Sequence, residues 1–234
     1  VRRSLEAAFI VGVVMVARPA QAQFSASALY EVGGARTDVG ADDGKALLAY
    51  GIGLGASYSL SPEKSVGLAV GGDALVRGFG IEVADGIKSG AGVFAQSDLV
   101  LDEWIALRTR PVLIGAYFEQ RRIDRGTALG VIGSPATAIG VLVEPRFSSS
   151  GRTRARVSYA RFRGGRLRLA GSDVLPKVDS GWSLRASLRH RLTSRWGLQA
   201  EYTGTRMELE DVAPTFEFLA HRQSTFSLGA FVSL

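Results

Sequence analysis

Three groups of residues in this sequence have types and spacings that could do chemistry. The stretch G-I-G-L-G-A places Gly51, Gly53 and Ala56 in the spelling G-x-G-x-x-A. Glycines so spaced cradle phosphates when they form a strand-to-helix turn, because the backbone amides at the helix N-terminus can then approach the anion. His221 has Ser224 and Thr225 after it and Asp211 and Glu217 before it. That set supplies a base, hydroxyl nucleophiles and orienting carboxylates, the parts of a hydrolase or acyltransferase. The segment D-V-G-A-D-D-G-K gathers Asp38, Asp42 and Asp43 beside glycines. It departs from the calcium-loop spelling and reads as a solvated turn. There is no cysteine, and His190 and His221 are the two histidines, so no disulfide, metal centre or cofactor is expected.

The elements that would hold these groups decide between the readings. The segment opening V-R-R-S has Arg2 and Arg3, an apolar run from Ala7 to Ala17, then Pro19 and Ala20-Gln21-Ala22. That is the layout of a secretory signal peptide, and its apolar run is shorter than the ~20 residues a membrane helix needs. Residues 1–22 are therefore expected to be the signal, and residues 23–234 one mature domain. With Arg2, Arg3, Arg18 and Glu6 removed, the net charge falls from +6 to about +4. An exported chain of that charge is not expected to bind nucleic acid.

The mature chain alternates with period two. Leu48, Tyr50, Ile52, Leu54, Ala56, Tyr58 and Leu60 share one parity, and Gly51, Gly53, Gly55, Ser57 and Ser59 the other. A helix would mix the two sets, since its faces repeat every 3.6 residues. The same pattern returns in Val66–Val70, Ile139–Phe147, Trp182–Leu192, Trp196–Tyr202 and Phe226–Leu234, among about ten segments. Short turns are expected at Ser61–Lys64, Asp102-Glu103, Ser148–Gly151 and Thr193–Arg195, and longer loops near 36–45, 78–88, 120–134, 164–180 and 209–221. Alternating short and long connections fit a transmembrane antiparallel up-and-down β-barrel of about ten strands, eight or twelve being the alternatives. Near Pro111 the parity of the arginines conflicts with that of Val112, Ile114, Ala116 and Phe118, which predicts a β-bulge there.

Alternation alone does not say which face is outside. A soluble lipocalin-like carrier would turn the apolar face inward. The glycines and serines of the polar face suit a crowded lumen, and the aromatics fall near strand ends. Tyr50, Phe118, Trp182 and Phe226 are expected in one interfacial girdle, and Trp104, Phe147 and Trp196 in the other. The inward parity then holds the acids Glu31, Asp73, Asp98, Glu119, Glu144 and Glu201. It also holds the bases Arg77, Arg108, Arg110, Arg146, Arg154, Arg156, Arg185, Arg189 and Arg191. Paired, these charges neutralise one another and fill the lumen; the arginine excess leaves a narrow anion-preferring pore as the alternative. Arg121, Arg122, Arg125, Arg161, Arg163, Arg166 and Arg168 are expected in outer loops, where they could meet lipopolysaccharide phosphates.

The last stretch, S-T-F-S-L-G-A-F-V-S-L, is similar to the C-terminal β-signal of bacterial outer-membrane barrels, with Leu234 where an aromatic is usual. Residues 24–234 resemble in pattern the small outer-membrane β-barrel superfamily of OmpA- and OmpX-like proteins. The resemblance implies a Gram-negative outer-membrane location, contact with outer-membrane lipids, and recognition of the last strand by the outer-membrane assembly machinery. It is poor for function, because the superfamily holds adhesins, enzymes and barrels of unknown role. The expected role is structural or surface-displaying and not enzymatic. A lipid A-modifying enzyme or a protease with a loop-level site at His221 is the alternative. In an unbroken strand the G-x-G-x-x-A spelling is a by-product of period two.

Overall fold

A computed structural model describes residues 21–39, 47–61, 66–82, 93–109, 111–125, 136–145, 152–165, 177–210 and 219–234. The expected signal lies outside the described residues except for Gln21 and Ala22, which open the first strand. The strands are β1 (Gln21–Val39), β2 (Leu47–Ser61), β3 (Gly67–Glu82), β4 (Val93–Arg108), β5 (Val112–Arg125), β6 (Ala136–Pro145), β7 (Thr153–Gly164), β8 (Lys177–Arg191), β9 (Trp196–Glu210) and β10 (Leu219–Ser233). Each pairs antiparallel with its chain neighbours, and β1 pairs β10 from Ser25↔Ser233 to Val39↔Leu219, which closes the ring. Closure leaves no strand edge, so backbone donors and acceptors are satisfied within the sheet.

Connections at 62–66, 109–111, 146–152 and 192–195 lie at the end where β1 begins and β10 finishes, here the turn end. Those at 40–46, 83–92, 126–135, 165–176 and 211–218 lie at the other, the loop end. The Thr193 hydroxyl accepts hydrogen bonds from the Arg195 and Trp196 amides, at 3.3 and 3.0 Å, and so fixes the tight β8–β9 turn. The turn expected at Ser148–Gly151 lies outside the described residues.

Two local expectations are corrected. Asp102-Glu103 is not a turn: β4 runs through it to Arg108, and Asp102 is buried. The polar pair imitates a turn, but it occupies one inward and one outward position of a continuous strand. Pro111 marks no bulge either. It stands between β4 and β5, where its missing N–H costs no ladder bond. The Thr109 amide and hydroxyl both donate to the Val112 carbonyl, each at 2.8 Å. The β4–β5 register runs without a break from Gln96↔Arg125 to Arg108↔Leu113. The parity conflict arose from reading two strands as one. Register shifts occur instead at Thr137/Ala138 and Val178/Ser180, near the loop end.

Candidate functional site

The two faces of the sheet are chemically opposite. On the outer face Ile52 is 68% exposed, Leu54 65%, Leu198 54% and Leu228 55%. On the inner face Glu31, Arg77 and Glu201 are no more than 1% exposed. Water would reverse this arrangement, since a soluble barrel gains its stability by hiding the apolar face. Only hydrocarbon makes an outward apolar band around a charged interior the stable one. The chain is a transmembrane β-barrel. The soluble-carrier alternative falls with the same observation.

Inside the barrel, charged side chains reach across the ring. Arg77 of β3 donates to Glu201 of β9 at 2.8 Å and to Thr203 at 2.9 Å, and its Nε lies 3.2 Å from Glu31 of β1. Arg185 of β8 donates to two carboxylates, to Asp102 of β4 at 2.6 Å and to Glu201 at 3.0 Å. Gln199 adds an amide donor to Glu201 at 3.2 Å. Glu201 therefore holds two guanidiniums, and Asp102 also accepts the Asp73 amide at 3.1 Å. Charge-assisted bonds of this length in a low-dielectric interior are strong, and each charge in this layer has its partner.

Beside that layer, the Tyr117 hydroxyl lies 3.0 Å from Glu119 and 3.3 Å from Asp102, and Ser183 donates to Glu119 at 2.9 Å. Arg121 of β5 donates to Thr205 of β9 and, at 3.3 Å, to Gln223 of β10, diametrically across the ten-strand ring. Phe162, Val178, Met207, Ala136 and Ala138 are buried nearest the loops. Below the central layer, Arg156 of β7 bridges Asp73 of β3 and Glu144 of β6, both at 3.0 Å. Its guanidinium lies 5.0 Å over the Trp104 ring. Arg108 lies 3.7 Å from Glu144.

Local sequence makes room for this traffic. A Cβ on Gly53 would stand 2.6 Å from Glu31 Oε1, and one on Gly71 would stand 2.4 Å from the Trp104 ring. Gly53 sits mid-strand, opposite Leu29 and Arg77, so the G-x-G-x-x-A stretch forms no helix start and no phosphate cradle.

Glu31, Asp73, Arg77, Arg108, Glu119, Glu144, Arg154, Arg156, Arg185, Arg189, Arg191 and Glu201 are all on the inner face. Asp98 is opposite Arg77 in register, but its side chain lies outside the described residues, as do Arg110, Arg146 and Phe147. On the outer face stand Tyr50, Phe118, Trp182, Trp196 and Phe226. Trp104 does not belong to the girdle. It is 5% exposed and packs inside, because β4 continues past Asp102 and keeps its even residues inward. Arg121 is likewise no loop residue but is buried in the lumen. Arg122 and Arg125 are in β5, Arg161 and Arg163 are exposed on β7, and Arg166 and Arg168 lie outside the described residues. Asp102, expected in a turn, belongs to this network, as do Tyr117 and Gln199, for which the sequence suggests no role. Tyr117 and Gln199 each stand two residues from an expected inward acid, Glu119 and Glu201, and that shared parity is their local signal.

His221 is in β10 at the level of Thr37 and Met207, with its side chain outside the described residues. Ser224 is on the exposed face, away from the lumen row of Gln223 and Thr225. Asp42, Asp43, Asp211 and Glu217 also lie outside the described residues, and Asp38 is in β1. His190 is exposed on the outer face, its Nδ1 2.8 Å from the Thr153 hydroxyl. Among the described residues no cluster of histidines and carboxylates could hold a metal ion.

No protein-family model and no curated protein matches the barrel's sequence. Among solved structures it is similar to the outer membrane protease OmpT from Escherichia coli, at 8% identity and a TM-score of 0.49, over 94% of this chain and 99% of that one. Neisserial surface protein A follows at 15% identity and a TM-score of 0.35, over 92% and 99%. Ail, the attachment invasion locus protein of Yersinia pestis, has 11% identity and a TM-score of 0.35, over 91% and 99%. At these values the membrane assignment is carried by the barrel's own inverted faces.

Proposed function

We propose that this barrel resides in a bacterial outer membrane, displays its loop end at the cell surface and works without a catalytic centre or an open channel. The observation that carries this reading is the set of cross-ring bonds, Arg77–Glu201, Arg185–Asp102 and Arg121–Gln223, which tie opposite walls together at successive levels. Barrels with wide aqueous channels have about 16–18 strands, whereas about eight leave room only for side chains. The turn end then faces the periplasm. At the loop end Arg161 pairs in register with Trp182, which puts a guanidinium beside an interfacial aromatic, where lipopolysaccharide phosphates would lie. The last strand, β10, is the element the assembly machinery would recognise.

Planar-bilayer recording of the purified protein tests closure: the wild type stays silent, and a steady unitary conductance sinks the reading. Membrane fractionation with heat-modifiable gel mobility tests residence, and a protein found wholly in a soluble fraction refutes it. A His221→Ala strain should keep its lipid A profile and protease activity unchanged; loss of either assigns a catalytic role instead.

A further inference from the structure

The inner face is not balanced evenly along its length. At the turn end a cavity of about 80 Å³ opens inside the ring, lined by residues of β1 to β8 and of β10. Its walls carry six arginines, at 152, 154, 156, 185, 189 and 191, against the three carboxylates Asp73, Asp102 and Glu144. Arg185 is already engaged by Asp102 and Glu201, and Arg156 by Glu144. That leaves Asp73 shared among three guanidiniums, with Arg156 at 3.0 Å, Arg189 at 3.8 Å and Arg185 at 3.9 Å. The hydrogen bonds of Arg189 go to neutral groups, Ser57 at 3.1 Å and Ser25 at 3.5 Å, and its guanidinium lies 5.9 Å over the Phe231 ring. Arg156 and Arg185 have those other carboxylates, whereas among the described residues Arg189 has only Asp73, at 3.8 Å, and the six arginines of the walls outnumber the three carboxylates two to one. A cavity walled by sheet and aromatic rings screens the remainder less than open water would.

We propose that this cavity is a binding site for a small phosphate-type oxyanion entering from the turn end. Guanidinium forks match the oxygens of a tetrahedral anion, and hydroxyls such as Ser57 and Ser25 can donate to the same oxygens. Arg189 is held in place by those serines and Phe231, so its fork is preorganised for the anion. Above the cavity the Arg77–Glu201–Arg185–Asp102 layer spans the lumen, which makes the site a dead end rather than a path. Only that last feature rests on the closed-lumen reading.

The test is titration calorimetry of the full protein in lipid nanodiscs with inorganic phosphate, glycerol phosphate and chloride at matched ionic strength. Saturable binding of one phosphate per barrel, with chloride without effect, is expected. A preference for glycerol phosphate over inorganic phosphate would identify a phosphomonoester as the ligand. Arg189→Gln should weaken binding by about tenfold or more, the loss of one charge-assisted bond. Arg191→Gln, nearer the mouth, is a second variant should the first not fold. Arg163→Gln, on the outer face, should leave binding unchanged. Equal heats with phosphate and chloride, or the same affinity in the wild type and the folded Arg189 or Arg191 variant, overturns the proposal. Calorimetry does not depend on conductance, so a barrel that conducts refutes the closed lumen without touching the anion site.

Discussion

The middle of the lumen and its turn-end mouth are built from the same residue types but solve different problems. In the middle, Arg77 and Arg185 share Glu201, and each has a second carboxylate, Glu31 and Asp102 respectively, so every guanidinium there is answered by carboxylates. At the mouth, arginines crowd around Asp73 and lean on hydroxyls and aromatic rings. Deep charges must be matched inside the protein, because desolvation leaves nothing else to answer them. Charges near water can be left in excess, where solvent or a bound anion supplies the rest. The gradient from matched to unmatched charge along one lumen is the difference between a structural layer and a receptive one.

Three substitutions test that gradient. Glu201→Ala strands two buried guanidiniums and should cost about 3–5 kcal/mol, read as a lower midpoint in urea unfolding from lipid vesicles. A cost below about 1 kcal/mol would mean that water already reaches the centre. Arg156→Gln stands at the boundary, where Asp73 keeps Arg185 and Arg189 and Glu144 keeps Arg108. Its cost should be intermediate, about 1.5–3 kcal/mol, in the same assay. Arg189→Gln, at the mouth, should change phosphate-free stability by about 0.5 kcal/mol or less, because its bonds there are partly solvated. If Arg189→Gln proves as damaging as Glu201→Ala, the two regions are one network and the comparison fails.

Period two and the alternation of connections are legible residue by residue, and they lead to about ten antiparallel strands. The cross-ring partnerships are not. Arg77 and Glu201 are 124 positions apart, and Arg185 and Asp102 are 83 apart, so no local window contains both members of either bond. Two errors share one cause. Asp102-Glu103 resembled a turn and Trp104 resembled a belt residue, because polar and aromatic residues carry the same local signal inside a charged lumen as at a strand end. Arg121 was misplaced for a related reason: β5 continues to Arg125, so an arginine that reads as loop chemistry is inside the lumen.

The pairing of β1 with β10 sets the order of events in time. Each of the other backbone ladders joins strands that follow one another in the chain, and can form as a hairpin without waiting for the rest. The β1–β10 ladder joins the first described strand to the last, so it carries the largest loop-closure entropy of any pair and has the least local help. Until it forms, two full rows of backbone amides and carbonyls stand open to hydrocarbon. The seam is thus the commitment point of assembly: growth by successive hairpins is gradual, whereas survival in the bilayer is decided at a single zipper.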